Sequence, residues 1–449
     1  MLHLPRVALG AVQSATDSQV ICWAMLDALV RTGSQVQHFL ARACFTPRNA
    51  ALTITGVGSR HLDTWLMPKP VCREVFVHGC AGRDLAVIEG DFDSSDETEP
   101  VPGSRLDTLC DWLDLPRLVV LDASKLHDCQ WPERPNQIDG VLLDRVRSPA
   151  EAFQLQTALE ALWDVPVFGA LEELPRLRAA VAQLPCGADP SRETCAELGD
   201  AFLRYSRPDR IRDLAARRDM PPVAPAIFPI PEQEPSQPSL TVAVAYDAAF
   251  NCYFPDTLDL LELRGAKIVD FSPLRDEVLP EADVVYLGCG HPDRYAEALS
   301  GNHCMLLALR NHIRGGRRVY AEGGGLAYLC QRLQTAHGDV VPMVGALPAL
   351  ARANPQPAAP TPIELTFAHG NWLGSPGSQV RGYLNTHWIL EPMDGLMGYL
   401  AEPGHEFDLV GQYQVIGSRL HLNFAAQADF LQAFFQPHGL SLAYSGVSP

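Results

Sequence analysis

The sequence of 449 residues lacks features that define whole classes of protein. It has no run of about 18 uncharged apolar residues, the length needed to cross a bilayer. Basic residues are outnumbered by acidic ones, 35 against 53, and the net charge of −18 repels the phosphates of nucleic acids. The first residues lack the basic and apolar segments of a signal peptide, which predicts a cytoplasmic protein. We therefore expect neither a membrane nor a nucleic acid as a partner.

Cysteine pairs at metal-binding spacing are also missing. The twelve cysteines are scattered along the chain, with no C-x-x-C pair and no zinc-finger spacing. In a reducing compartment such residues behave as small buried side chains. We accordingly expect free, mostly buried thiols, and the sequence predicts no metal site.

The domain organisation follows from length and proline content. A chain of this length exceeds one compact core. The segment Pro221 to Pro238 contains seven prolines, which remove backbone donors and fix φ, so neither a helix nor a central strand can continue through it. We predict a first domain over residues 1–220, a linker over residues 221–238 and a second domain over residues 239–449.

Short apolar runs alternate with helical stretches on both sides of the linker, as in parallel sheets covered by helices. The predicted architecture is therefore α/β in both domains, with a long excursion at Pro355 to Gln379 before the last strands. The predicted strands are Arg6 to Leu9, Asp84 to Ile88, Leu118 to Leu121, Asp139 to Leu143, Val165 to Phe168, Thr241 to Ala245, Lys267 to Phe271, Val284 to Leu287, Arg318 to Ala321 and the region Gln412 to Phe424. The predicted helices include Val20 to Arg31, Pro149 to Leu162, Thr257 to Leu263 and Ala296 to Arg314.

Ligands of open α/β sheets bind beyond the carboxyl ends of strands, so the residues after each strand are the informative ones. The loop after the first strand resembles a phosphate loop only in position. It keeps one glycine, Gly10, and has no lysine, while Asp17 would oppose a phosphate at the helix N-terminus. The alternative is an ordinary strand-to-helix turn with Ser or Asp capping. Glu89 follows another strand within an acidic segment, which indicates either a magnesium site or a solvated loop.

The second domain contains a strand, a sharp turn and a helix around Glu322-Gly323-Gly324, the shape of a nucleophile elbow. The residue at its apex is Gly323, which has no nucleophilic side chain. The backbone donors of Gly288-Cys289-Gly290 are candidates for an oxyanion hole. His421 near the C-terminus is a candidate general base or a structural histidine.

Several motifs, in this order and spacing, resemble the cobyrinic acid a,c-diamide synthase family over nearly the whole chain. The matching stretches are Arg60 to Leu66, Asp84 to Gly90, Val242 to Phe250 with Tyr253, Phe271 to Asp276, Tyr320 to Leu329, Pro342 to Gly345, Arg381-Gly382-Tyr383 and Gly404 to Phe407. The resemblance implies a P-loop ATP-binding domain similar to dethiobiotin synthetase, followed by a flavodoxin-like class I glutamine amidotransferase domain. It also implies ATP and magnesium as cofactors and the amidation of corrin carboxylates by ammonia from glutamine.

The resemblance places the family's catalytic cysteine at Gly323 and its general-base histidine at His421, with Asn423 where a second histidine is usual. It places the phosphate-loop glycine, lysine and threonine at Asp17, Ser18 and Gln19. Leu40 and Cys44 stand where the family has a nucleotide-site lysine and aspartate, and Glu89 keeps a magnesium-associated position. These substitutions remove the nucleophile and the phosphate-binding lysine, so bound ATP and magnesium are doubtful.

The sequence therefore predicts a pseudoenzyme that binds a tetrapyrrole-like molecule or a related protein, as a homodimer or hetero-oligomer. One alternative is residual ATP-dependent amidation with free ammonia. Another is a new activity of Cys289, whose thiol pKa we expect backbone donors and His421 to lower.

Overall fold

The computed structural model describes residues 2–13, 18–45, 48–92, 103–126, 131–185, 187–228 and 240–436. Backbone contacts divide the chain into two compact units. Unit 1 comprises Met1–Ile230 with Phe254–Asp256, and unit 2 comprises Pro231–Tyr253 with Thr257–Pro449. The division after Ile230 falls inside the predicted linker.

Unit 1 contains a seven-stranded, entirely parallel sheet in the order β3-β2-β4-β1-β5-β6-β7. Its strands are β1 Arg6–Ala11, β2 Val36–Leu40, β3 Arg60–His61, β4 Leu85–Asp91, β5 Arg117–Asp122, β6 Gly140–Val146 and β7 Val167–Glu172. Its helices are α1 Gln19–Arg31, α2 Ala51–Thr55, α3 Lys69–Gly79, α4 Leu106–Leu113, α5 Pro149–Trp163, α6 Pro175–Ala182, α7 Arg192–Leu203 and α8 Pro208–Ala215. Helix α1 is buried from Val20 to Leu29 because it packs in the same apolar core as α7 and the sheet.

Unit 2 is built on a second seven-stranded sheet, in the order β10-β8-β11-β13-β22-β21-β20, whose first five strands are parallel. The smaller sheets are a two-stranded sheet of β12 and β9, a four-stranded sheet in the order β15-β14-β16-β19, and a three-stranded sheet in the order β17-β18-β23. The strands are β8 Leu240–Ala245, β9 Phe250–Cys252, β10 Ala266–Phe271, β11 Val284–Leu287, β12 Cys289–Gly290, β13 Arg318–Glu322, β14 Cys330–Gln334, β15 Val340–Pro342, β16 Leu347–Ala353, β17 Thr361–Thr366, β18 Gln379–Leu384, β19 Trp388–Pro392, β20 Met397–Gly398, β21 Leu409–Gln412, β22 Val415–Ser418 and β23 Leu420–His421. The helices are α9 Pro255–Leu263, α10 Ala296–Gly301, α11 His303–Arg314, α12 Gly324–Leu329 and α13 Ala428–Phe434.

The predicted α/β class is confirmed, and four local predictions are corrected. The predicted helix Ala296 to Arg314 is two helices, because Asn302 ends α10 and caps α11 by accepting a hydrogen bond from the Met305 amide at 3.2 Å. The predicted excursion after Pro355 contains β17, which pairs with β18. Strand β4 continues to Asp91, so Glu89 lies in a strand and not in a loop. Strand β2 was missed at the sequence level.

The beginning of the proline-rich segment is held against unit 1 by one buried carboxylate. Glu74 of α3 accepts hydrogen bonds of 2.8 to 3.0 Å from the backbone amides of Ala226, Ile227 and Phe228. The Phe228 ring stacks on His78 at 3.9 Å between centroids. Residues 226–228 therefore form part of the folded unit, and the predicted linker over residues 221–238 is anchored at these residues.

Replacing Glu74 with alanine is expected to expose this segment to proteases. The substitution removes the acceptor for three amides, and hydrogen bonds to a charged group contribute about 1.5 to 3 kcal/mol each. Cleavage within residues 221–228, mapped by mass spectrometry after limited proteolysis, should become at least about tenfold faster. Lys69→Ala, at an exposed position of the same helix, is the control. Equal cleavage of the Glu74 variant and the natural protein would contradict the anchoring role.

The cysteines agree with the sequence-based prediction where they are described. All ten described cysteines are free, and only Cys252 and Cys304 are not buried. Among the described residues, no helix is both long enough and apolar enough to cross a membrane.

Candidate functional site

The strand-turn-helix geometry predicted around residue 323 is present in unit 2. Gly323 lies between β13 and α12 with φ +49° and ψ −106°, a backbone conformation that L-residues adopt only at an energetic cost. Its amide donates a hydrogen bond of 2.8 Å to the Ser418 carbonyl at the end of β22. The turn is thus held in an elbow conformation although its apical residue has no side chain.

Two side chains fill the space in front of Gly323. A Cβ atom added there would lie 2.9 Å from the Cys289 Sγ and 3.2 Å from the Asn385 Nδ2. The first distance is shorter than real Cβ contacts. The sulfur of Cys289 therefore occupies part of the volume that a residue 323 side chain would need.

Asn385 also contacts the candidate base His421. Its Oδ1 accepts the His387 amide at 2.8 Å, which directs the Nδ2 group toward the His421 Nε2, 3.0 Å away. Because an amide nitrogen only donates, the His421 Nε2 accepts this bond. Burial lowers the pKa of His421 to about 3, so the imidazole is neutral at physiological pH. The Asn423 side chain is buried, and its Oδ1 accepts the Ala425 amide at 3.0 Å.

A buried carboxyl group lies next to the thiol of Cys289. Glu322 accepts a hydrogen bond of 2.6 Å from the Tyr320 hydroxyl, and the Cys289 Sγ lies 3.9 Å from its other oxygen. Burial raises the pKa of Glu322 to about 8, although hydrogen bonds to its carboxylate act in the opposite direction. Burial and the nearby Glu322 raise the pKa of Cys289 well above its ordinary value. The expectation of a lowered thiol pKa at Cys289 is therefore wrong, because burial is the dominant cause.

The loop Gly288-Cys289-Gly290 offers an oxyanion fewer backbone N–H donors than predicted. The Gly288 amide donates to the Tyr253 hydroxyl at 2.9 Å, and the Gly288 carbonyl accepts the Gly325 amide at 3.1 Å. Cys289 and Gly290 form β12, which pairs with β9. The Gly288 donor is thus already used within the fold.

In unit 1 the structure describes three residues at the phosphate-loop positions, Gly10, Ser18 and Gln19. Gly10 lies within β1, where an added Cβ would meet the Gly90 carbonyl oxygen at 2.4 Å. Ser18 is the N-cap residue of α1 and is 7% exposed, but its side chain makes no capping hydrogen bond, which corrects the capping prediction for this residue. The Gln19 side chain donates to the Arg48 carbonyl at 3.1 Å. Asp17 and acidic residues 93–99 lie outside the described residues.

Glu89, at the magnesium-associated position, is paired with a histidine. Its Oε2 lies 3.1 Å from the His38 Nε2, and the His38 Nδ1 lies 2.8 Å from the Ser59 hydroxyl. The Cys22 sulfur is 3.9 Å from the same His38 Nε2. Sequence reasoning singled out Glu89 but missed His38, because β2 had not been predicted.

The structure therefore places Cys289 and Asn385 beside Gly323, His421 in contact with Asn385, and Glu322 beside Cys289. Asn385 could not be found from spacing, because no sequence signal distinguishes it from other polar residues of the C-terminal strands. Glu322 was visible only as a neighbour of the elbow.

Comparisons with known proteins cover both units. A CobB/CobQ-like glutamine amidotransferase domain matches residues 241–428. The cobyrinate a,c-diamide synthase of Methanosarcina barkeri is 30% identical over 388 residues, 77% of this chain and 77% of that protein. The Salmonella typhimurium enzyme of the same name is 28% identical over 445 residues, which cover 94% of this chain and 96% of the relative. A solved glutamine amidotransferase structure covers 43% of this chain and 96% of its own, with 16% identity and a TM-score of 0.33, too low to support an inference.

The domain match lies on the unit that contains the elbow, the glycine loop and His421, and the alignment with the Salmonella typhimurium relative, which covers 94% of this chain, extends the similarity into unit 1. The chain belongs to the cobyrinate a,c-diamide synthase family.

Proposed function

We propose that this chain is a non-catalytic member of its family that binds a tetrapyrrole-like polycarboxylate. The main support is the filled elbow: Gly323 has no nucleophile, and the space before it contains Cys289 and Asn385. Covalent glutaminase chemistry needs a thiolate or alkoxide beside a free base. In this site the nearest thiol has a raised pKa, and the His421 Nε2 already accepts a hydrogen bond from Asn385.

The nucleotide site supports the same proposal. A P-loop binds phosphates with a lysine and magnesium with a serine or threonine hydroxyl. Here the corresponding residues are Ser18 and Gln19, whose amide donates to a backbone carbonyl, and Glu89 is paired with His38. At these positions the chain has neither the lysine that would hold the phosphates of ATP nor the hydroxyl that would hold its magnesium ion.

The proposed ligand class comes from the family. Relatives are named for cobyrinate, a corrin with peripheral carboxylates. Binding of that molecule requires neither the nucleophile nor the phosphate lysine, so it can persist after both are lost. We also propose that the chain forms a homodimer, or a hetero-oligomer with a related protein, and that it is located in the cytoplasm.

Calorimetry with ATP and magnesium is the direct test of lost catalysis, because amidation through an acyl phosphate begins with nucleotide binding. The natural protein should show no micromolar binding. A variant with Asp17→Gly and Ser18→Lys should bind about 10- to 150-fold more tightly, since a charge-assisted phosphate contact contributes about 1.5 to 3 kcal/mol. A micromolar dissociation constant for the natural protein would favour residual amidation with free ammonia.

Ligand binding is tested separately by titrating cobyrinate and following its absorption spectrum. Saturable binding at a ratio of one per chain, without added ATP, supports the proposal. A spectrum unchanged by the folded protein at high micromolar concentration contradicts the ligand assignment and leaves the ATP result intact.

A further inference from the structure

Three side chains of unit 2 converge outside the elbow. His291 follows β12, Asp293 lies in the short 3-10 helix Pro292–Tyr295, and His387 lies between β18 and β19. One ligand atom from each residue lies within 4.8 Å of the others. The rings of His291 and His387 are nearly perpendicular, with centroids 5.1 Å apart.

The polar atoms in this cluster are buried without satisfying one another. Both ring nitrogens of His387 and the Oδ1 of Asp293 have no hydrogen-bond partner among the described protein atoms. The His387 Nε2 lies 3.6 Å from the Asp293 Oδ1, too far for a hydrogen bond. Both side chains are about 15% exposed or less. Buried polar groups without partners are rare, and an ion is one of the few groups that satisfies several at once.

The residue types suit a cation. Imidazole nitrogens and carboxylate oxygens are common metal ligands in proteins, and each of the three side chains offers one ligand atom, two nitrogens and one oxygen in all.

We propose that His291, Asp293 and His387 form a binding site for a divalent first-row transition-metal ion such as zinc. Two imidazoles and one carboxylate form a ligand set known for zinc and for non-haem iron. Metal-ligand bonds of about 2.0 to 2.1 Å in a tetrahedral arrangement separate ligand atoms by about 3.3 Å. The 3.6 Å separation between the His387 Nε2 and the Asp293 Oδ1 is close to that value, and the other two separations are within 4.8 Å.

The site adjoins the elbow. A Cβ added at Gly324 would lie 2.7 Å from the ring of Pro292, which stands between His291 and Asp293 in the sequence. The His387 amide donates to the Asn385 Oδ1, so the backbone of this ligand is fixed by the same asparagine that contacts His421. Three protein ligands leave at least one coordination position for water or an anionic ligand.

A second cluster in unit 1, Cys22 with His38 and Glu89, also has ligand atoms within 4.8 Å. Its polar atoms already have partners, since His38 contacts both Glu89 and Ser59 at hydrogen-bond distance. It therefore lacks the unsatisfied atoms that support the proposal for unit 2. Its cysteine makes it a useful comparison, because a thiolate ligand has its own optical signature.

The experiment uses the full chain, freed of metal with a chelator and titrated with cobalt(II) or zinc(II). Cobalt(II) should bind at one ion per chain with visible absorption bands and without the strong near-ultraviolet band of a thiolate-cobalt bond. His387→Ala and the isosteric Asp293→Asn should each weaken binding at least about 100-fold, since even outer partners of metal ligands contribute about 10- to 100-fold. His337→Ala, at an exposed turn of the same unit, and Cys22→Ser should leave binding unchanged.

Circular dichroism establishes that each variant is folded, and Asp293→Asn provides the answer if His387→Ala does not fold. The proposal is overturned if the folded natural protein binds neither ion above a micromolar affinity. It is also overturned if binding shows a thiolate band that Cys22→Ser removes, because the ion would then occupy the cluster in unit 1.

Discussion

Replacing Glu322 with glutamine is expected to stabilise the protein at pH 8 and to leave its stability at pH 4.5 nearly unchanged. Burial raises the pKa of Glu322 to about 8, against 4.5 in an unfolded chain. Below pH 4.5 the Glu322 carboxyl is protonated in both the folded and the unfolded state. Between pH 4.5 and 8 only the folded state keeps the proton, so stability falls as the pH rises, and above pH 8 the full cost is present. A shift of this size corresponds to roughly 5 kcal/mol.

The glutamine side chain does not titrate. The difference in unfolding free energy between the two proteins, followed against pH, therefore reports the ionisation of Glu322 alone. The pKa values of Tyr320, Tyr286 and Cys289 beside it are raised, mainly by burial, and these groups stay neutral over this range. Denaturant unfolding at several pH values measures the effect. Glu281→Gln, at an exposed position, is the control. The prediction fails if the natural protein and the Glu322 variant show parallel stability curves between pH 5 and 8.

Introducing a cysteine at Gly323 is expected to destabilise the fold without producing glutaminase activity. A side chain at φ +49° costs about 1 to 3 kcal/mol in backbone strain. Contact of its Cβ with the Cys289 Sγ at 2.9 Å adds about 1 to 3 kcal/mol of overpacking. The Asn385 Nδ2 lies 3.2 Å from that Cβ and 3.0 Å from the His421 Nε2, so the ring nitrogen that would act as base for the thiol already accepts a hydrogen bond.

The double variant Gly323→Cys with Cys289→Gly should recover the overpacking part of the loss. Gly316→Cys measures backbone strain alone, because Gly316 also has a positive φ and nothing lies within 4 Å of an added Cβ. Urea unfolding and ammonia release from glutamine are the two measurements. Full stability of the single Gly323 variant would contradict the packing argument, and glutamine hydrolysis by the natural protein would contradict the proposed loss of catalysis.

The sequence predicted those features that depend on local pattern. Apolar runs such as Val284 to Leu287 marked the parallel strands, and small residues around Gly323 marked the elbow. Strand β2 was missed because Gln37 and His38 break its apolar character. In the structure both are buried and bonded, Gln37 to backbone carbonyls and His38 to Ser59 and Glu89.

The candidate metal site was missed for a different reason. His291 and Asp293 stand two positions apart, directly after the loop Gly288-Cys289-Gly290 that the sequence analysis singled out. His387 comes more than ninety residues later, and only the tertiary fold brings it beside them. No local sequence pattern predicts a contact between residues so far apart in the chain. The expectation of no metal site rested on the spacing of the cysteines alone. Asn385 was missed on the same grounds.

The contact between Cys289 and residue 323 also constrains how this protein can change in evolution. While the sulfur of Cys289 occupies that space, a single substitution that places a thiol at position 323 meets a steric and a conformational cost together. Glycine at position 289 must come first, or nearly at the same time, for the thiol to be tolerated. The two positions are therefore epistatic, and the order of substitutions decides which sequences are accessible. The Cys289 Sγ atom thus favours the retention of glycine at position 323.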